Sequence, residues 1–479
     1  MATLEVRGGY DNRVQRALRI GLPRLRAALD ASDRHLPGFV WSELERTAGC
    51  GDPHHGFAWL YCERCEHHRL LPFTCKARGF CPTCIGRRMA ERARGWCEDL
   101  LPFEVPHRQW VLTVPWRRRP LLAYRPEVAR GVLDLALRLI FGWLAHRAEV
   151  RLGVAGGRAA AVTVEQRCGS SLALNLHFHC ILPDGVFAPD ADGALRFHRV
   201  VPDRAAIDQL VTDIATAAEA GLAEQGVDED HEPDPDDARA VLAAASAQGR
   251  VASGPRAGRP VRRLGASLGD EDHDHSLGAG SEADGYGLHA GTWVPAQDRK
   301  GLEQLCRYLL RPPLPNDRLT ERPDGSWFLA LRKPWRDGTA GFLFSALELT
   351  EKLAALVVRP RVHTTHFHGL FAGNATGRDR VVPTDAQRDA HADATEANQD
   401  AKRRRRRLRR VSRSRWSPWC PWVELLEYVF AVDGHACPDC GGPLHLRAVV
   451  HRHAAARKIL ADLRRSARPP PPTVVPACP

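Results

Sequence analysis

Residues Ser171 to Leu182 alternate in polarity with a period of two, the pattern of an extended strand with one buried face. Leu172, Leu174, Leu176 and Phe178 fall on one face, and Ala173, Asn175, His177 and His179 on the other. Two imidazoles therefore share a face, about 6–7 Å apart along the strand. A half-buried strand has no packing reason to carry such a pair, and neutral imidazoles at this spacing suit a divalent metal. Residues 160–168 read as a preceding strand, joined through a turn at Gly169 and Ser170. In a simple hairpin Gln166 would face Ala173, one or two pairs short of the histidines, so the third metal ligand stays unassigned.

Elsewhere the chain is mixed. Residues 11–48 are expected to be helical, with Val14, Leu18, Leu22, Leu25 and Leu29 on one stripe. Residues 107–115 read as a strand and 126–148 as an amphipathic helix. Residues 225–285 are rich in Ala, Gly and acidic side chains, and they read as a largely flexible insertion. Three consecutive segments are expected: 1–105, helical plus a Cys-rich module; 106–350, holding the His-x-His strand and the insertion; and 351–479, with a basic run, a Cys pair and a Pro-rich tail.

Charge and cysteines narrow the class. The net charge of +11 favours a polyanionic partner, nucleic acid above all, although a GC-rich coding bias toward Arg explains part of it. The cluster Lys402–Arg407, with Arg404 and Arg405 inside it, stands beside Trp416, Trp419 and Trp422. Arginines there could track phosphates, or the segment could be a solvated linker. Met1–Tyr10 has no apolar signal core and no long apolar run follows, so neither a secretory signal nor a membrane span is expected. The paired cysteines then read as metal sites in a reducing, cytoplasmic and nucleoid-associated setting rather than as disulfides.

Cys62-x2-Cys65 and Cys81-x2-Cys84 stand fifteen residues apart, a spacing at which two knuckles close a tetrahedral, structural Zn2+ site. Cys75 lies between them and could replace one ligand. Arg78, Arg87 and Arg88 give the module a basic rim suited to DNA. Cys437 and Cys440 form a third knuckle, which Cys420, His435 or His445 could complete.

Downstream, Leu302, Leu305, Cys306 and Leu309 form a helical stripe with Tyr308 on its flank. A core tyrosine would more often sit in the stripe's middle. Arg307 and Arg311 are close enough in sequence to help seat a phosphate.

These residues carry a resemblance. Phe73–Met89, Leu174–Val186, Leu305–Pro313 and Leu331–Thr339 together resemble the rolling-circle transposases of the insertion-sequence-91 type, in the His-hydrophobe-His nuclease superfamily. Arg361–Gly369 and Phe430–Gly442 fit as well, and the likeness runs from about Gly51 to about Leu446 outside the insertion. The resemblance implies an α+β fold, with an antiparallel-sheet nuclease domain, an N-terminal helical and zinc-binding module, and a basic C-terminal region with a zinc-knuckle-like Cys pair. It also implies that His177 and His179 bind Mg2+ or Mn2+, that Tyr308 is the nucleophile, and that Cys62, Cys65, Cys81 and Cys84 hold zinc. Some members carry two tyrosines four residues apart on this helix. Gln304 stands at that position here, so the chain resembles the single-tyrosine branch. Phe367 replaces a usual tyrosine, which reads as a packing change.

The implied chemistry is nicking and rejoining of single-stranded or hairpin DNA ends through a 5′-phosphotyrosine. There is no Walker motif, so the host replication machinery would have to unwind the duplex. Two rivals remain open: a non-catalytic zinc-containing DNA-binding regulator, which leaves the His-x-His strand and Tyr308 without a purpose, and a metal-dependent hydrolase in which water attacks. If Tyr308 were not the attacker, Tyr286 would be the next phenol to consider.

Overall fold

The computed structural model describes residues 4–6, 12–77, 79–227, 234, 236–265, 280–395 and 436–466. The chain divides into two compact units that interleave in sequence. One comprises Met1–Asn12, Gly49–Lys76 and Ala386–Pro479, the other Arg13–Ala48 and Ala77–Asp385. These bounds cut across the three consecutive segments expected from the sequence.

The first unit is built on a hairpin, Phe57–Tyr61 with His68–Pro72. Leu4–Val6 adds to one edge in parallel, and His445–Val450 adds to the other antiparallel. The helix His453–Ser466 follows. It buries Ala456, Leu460 and Leu463, spaced for one helical face, against Phe57, Leu70 and Val450.

The second unit is organised by an all-antiparallel sheet of seven strands. Gly280–Ala283, Tyr286–His289, His107–Thr113, Leu174–Pro183, Ala160–Cys168 and Thr365–Gly369 follow in that order, and Trp293–Val294 also pairs with His107–Thr113. One face carries Trp110, Leu112, Leu176, Phe178 and Leu182. With the apolar sides of the helices Pro126–Leu152 and Arg204–Glu224 they form the largest core. The other face carries Val162, Val164 and Ile181 and packs against the helices Pro82–Asp99 and Arg299–Leu309 through Trp96, Cys97, Leu302, Leu305, Cys306 and Leu309. The alternation in Ser171–Leu182 thus feeds one face to a core and turns the histidines toward the helix that bears Tyr308.

A further core joins the helices Arg13–Asp30, Gly38–Ala48 and Ala346–Ala355 to the small sheet of Leu319–Glu321, Trp327–Ala330, Gly341–Phe344 and Arg262–Leu264. It corrects the reading of residues 225–285 as largely flexible where 236–265 are concerned; residues 228–233, 235 and 266–279 lie outside the described residues. Within 236–265, Ala238–Ala247 is a helix that buries Ala238, Leu242 and Ala243, and Val251 and Val261 are buried beside it. Alanine-rich composition hid an ordinary amphipathic helix, capped by the Asp237 carboxylate on the Arg239 and Ala240 amides.

The hairpin that carries the histidines also differs from the simple one. Its connection spans Gly169–Ala173, with the Gly169 N–H donating to Ala173 O, and it holds buried Leu172 at φ 61°. This longer connection, with a one-residue register shift between Gln166 and Cys168, pairs Gln166 with His177 rather than with Ala173. Such a bulge re-aims a side chain and locally bends the strand.

Candidate active site

Three strands present one continuous surface at the histidines. His179 is flanked by Val164 on one side and Val111 on the other, and His177 by Gln166 and Thr113. The two imidazole centroids are 4.9 Å apart. The His177 Nδ1–H donates to the Asn175 carbonyl at 2.8 Å, which fixes the tautomer and turns the Nε2 lone pair outward. His179 Nδ1 lies 2.7 Å from the Gln109 side-chain amide, a group whose two ends interchange by a flip. The atom placed there is the amide Nε2; with the amide turned over, so that its oxygen accepts from Nδ1–H, the imidazole Nε2 would be the lone-pair nitrogen. His179 Nε2 is buried and has no hydrogen-bond partner. Burial, then the neighbouring His177 and Arg311 charges, hold this imidazole well below its ordinary pKa, so it is neutral at physiological pH. A buried, neutral imidazole whose Nε2 has no partner fits a metal ligand better than a packed core histidine. Among the described residues no third His, Cys, Asp or Glu joins the pair in a ligand cluster.

Tyr308 comes to this pair from the helix Arg299–Leu309. Its ring stands edge-on to His179, with centroids 5.8 Å apart, and the side chain is 39% exposed, open to a substrate. Asp298 caps the helix, its carboxylate accepting from the Gly301 amide. Gln166 pins the other end, its Nε2 donating to Leu309 O at 2.7 Å. The residue left unassigned in the sequence is thereby a strut between the histidine hairpin and the tyrosine helix. The Arg311 guanidinium lies over the Tyr308 ring at 4.0 Å. Arg318, fastened by Ser170 O and Ala330 O, is held below its ordinary pKa by burial first and then by the Arg332 and Arg311 charges. Neighbouring like charges of this kind favour an anion.

The remaining arginines expected to touch DNA fare differently. Arg307 is exposed but paired with Glu303 on its own helix, and Arg87 is paired with Glu91. Arg88 donates to Ala77 O. Arg78, Arg404 and Arg405, with Trp416, Trp419 and Trp422, lie outside the described residues.

Two aromatic expectations change. Tyr286 is no alternative nucleophile: it is fully buried on the opposite face of the sheet, where its hydroxyl donates to Glu219, and burial pushes its pKa up strongly. Phe367 is not a packing residue. It pairs with Val162, on the histidine face of the edge strand, and is 43% exposed. By the same alternation His366 and His368 take the other face, where His368 Nδ1 lies 3.6 Å from Asp134, so this second His-x-His does not join the site.

The cysteines expected to bind zinc are also regrouped. Cys62 and Cys65 do not form a foursome with Cys81 and Cys84. Within the first unit they meet Cys437 and Cys440. Cys81 and Cys84 open the helix Pro82–Asp99 of the second unit. In the first unit the Cys75 amide donates to Cys50 Sγ at 3.3 Å. His445, weighed as a completing ligand, sits exposed on its strand, and Cys420 and His435 lie outside the described residues.

The sheet thus presents paired imidazoles to a helix-borne tyrosine beside an arginine. Residues 160–379 match the transposase family model Y2_Tnp, and residues 24–114 match a transposase zinc-binding domain of the IS91 type. The chain belongs to the insertion-sequence-91-type transposases. No curated protein and no solved structure matches it. Membership makes the chain a DNA-cleaving transposase with DNA as its partner, and the zinc-binding domain and cysteine clusters support structural zinc. Among the described residues no helix is long and apolar enough to cross a membrane.

Proposed function

We propose that this transposase nicks and rejoins single-stranded or hairpin transposon ends through a 5′-phosphotyrosine on Tyr308, in rolling-circle transposition. The observation that carries the reading is the 5.8 Å approach of the Tyr308 ring to His179, whose Nε2 is buried without a partner. His177 and His179 would hold Mg2+ or Mn2+, which when bound would supply Lewis-acid polarisation of the scissile phosphate. The family's zinc is structural, and Cys81 and Cys84 lie in the matched zinc-binding segment and are proposed among its ligands.

The chain's own groups account for the rest. Arg311 and Arg318 draw the phosphate to the site and offset charge that grows on its oxygens. The Tyr308 oxygen forms a bond to phosphorus as the bond to the 3′-oxygen breaks. The phenol's proton goes to solvent, and the leaving oxygen takes one up as a 3′-hydroxyl. A later 3′-hydroxyl reverses these changes and releases Tyr308, with no net loss of phosphodiester bonds. Gln304, four residues before Tyr308, is exposed and cannot attack, which supports one nucleophile per site. Opening of the duplex is left to the host replication machinery.

The test is nicking of single-stranded end oligonucleotides by Tyr308→Phe. Loss of nicking with DNA binding retained supports the reading. Nicking at the wild-type rate overturns it.

A further inference from the structure

The matched zinc-binding domain ends at residue 114, yet two of its cysteines have their sulfur partners at the far end of the chain. Cys62 Sγ lies 3.6 Å from Cys440 Sγ, and Cys65 Sγ lies 3.5 Å from Cys437 Sγ, across sequence separations of 378 and 372 residues. All four sulfurs fall within 4.8 Å of one another, and all four cysteines are free of disulfides. A tetrahedron of thiolates around zinc, with Zn–S of about 2.3 Å, has S–S edges of about 3.8 Å. The observed spacing is therefore that of a closed four-thiolate site, too long for disulfides and too regular for chance contact.

The surroundings are those of two zinc knuckles. Cys62 and Cys65 sit in the turn of the Phe57–Tyr61/His68–Pro72 hairpin, where the Cys62 amide donates to His67 O. Cys437 and Cys440 sit in a turn closed by the Cys437 amide to Gly442 O, with Gly441 at φ 68° and the Gly442 amide donating to Cys440 Sγ at 3.4 Å. The strand that follows, His445–Val450, pairs with Phe57–Tyr61, and Asp439 meets His67 Nδ1 at 2.9 Å. Ala58, Leu60, Leu71 and Leu444 cover the sulfurs.

We infer that Cys62, Cys65, Cys437 and Cys440 bind one structural zinc ion, which clasps the C-terminal segment onto the N-terminal hairpin as its last strand and second knuckle. The inference rests on the family's structural zinc and not on the nicking chemistry. It has a consequence for synthesis: the ribbon is completed only when residues beyond 440 have been made, so a truncated transposase lacks it.

The test uses full-length protein, with zinc content measured by elemental mass spectrometry and each cysteine's alkylation followed by peptide mass spectrometry. In the wild type the four cysteines are expected to be protected together and to become reactive together, at one rate, when a chelator is added. The double variant Cys437→Ser/Cys440→Ser is expected to lose about one zinc equivalent per chain and to expose Cys62 and Cys65, with Cys81 and Cys84 still protected. Should that variant misfold, the wild-type alkylation decides alone. Cys437 and Cys440 reacting freely in zinc-loaded wild type, or unchanged zinc with Cys62 and Cys65 protected in the variant, would overturn the inference.

Discussion

Gln109→Leu isolates the orientation of His179 from the chemistry of Tyr308. Gln109 is buried on the histidine face, and its amide meets His179 Nδ1 at 2.7 Å. A partner of this kind holds the ring and its tautomer, and losing it typically weakens metal binding about 10–100-fold, or about 1.4–2.8 kcal/mol. Leucine keeps the volume but leaves a buried ring nitrogen unpaired, at a further cost of about 1–3 kcal/mol to folding. The first effect is read as the Mn2+ concentration for half-maximal nicking of a single-stranded end, the second by urea unfolding. Gln109→Glu should restore the half-saturation value, because a carboxylate also accepts from Nδ1–H. A Gln109→Leu protein that folds and nicks with unchanged metal dependence would refute the orientation argument.

Gln166→Leu removes the strut to Leu309 O, and it should lower the single-turnover nicking rate about tenfold while leaving metal half-saturation unchanged, as expected when an attacking group is held less firmly. Phe367→Ala should weaken single-stranded DNA binding by about 1–3 kcal/mol in a filter-binding assay if the exposed ring stacks on a base, and leave folding stability unchanged. Asp184→Ala strands the buried Arg108 guanidinium, now paired at 2.6 Å, and should cost about 3–5 kcal/mol in urea unfolding. Leu176→Ala, in the main core beneath the histidines, should cost about 2–5 kcal/mol by the same measure.

The strand and helix that build the site were legible because period two and period 3.6 are local signals. His177 and His179 could be singled out from the alternation, whereas Tyr308 showed only as a residue on the flank of its helical stripe, and its role came from the family resemblance. Gln109 carried a weaker signal, a polar residue inside an otherwise apolar strand, and it gains meaning only once that strand lies beside His179. Gln166 was misplaced because the bulge before Cys168 and the turn at Leu172 leave no clear mark in the sequence. The cysteine spacing pointed to zinc but not to the foursome that the structure brings together. Two knuckles of equal spacing can pair with any third, and the choice was made by a strand pairing across more than three hundred residues. Residues 238–247 show the converse error, in which composition was read where periodicity should have been.

The central claim is that Tyr308 attacks the DNA backbone and keeps its 5′-phosphate. It is tested most directly by incubating wild-type protein and Tyr308→Phe with single-stranded ends labelled on either side of the nick, followed by denaturing gels and peptide mass spectrometry. The account predicts that label stays on the protein only from the strand 3′ of the nick, that the modified peptide contains Tyr308, and that Tyr308→Phe forms no adduct. Nicking without any covalent adduct, or an adduct that persists in Tyr308→Phe, would contradict it.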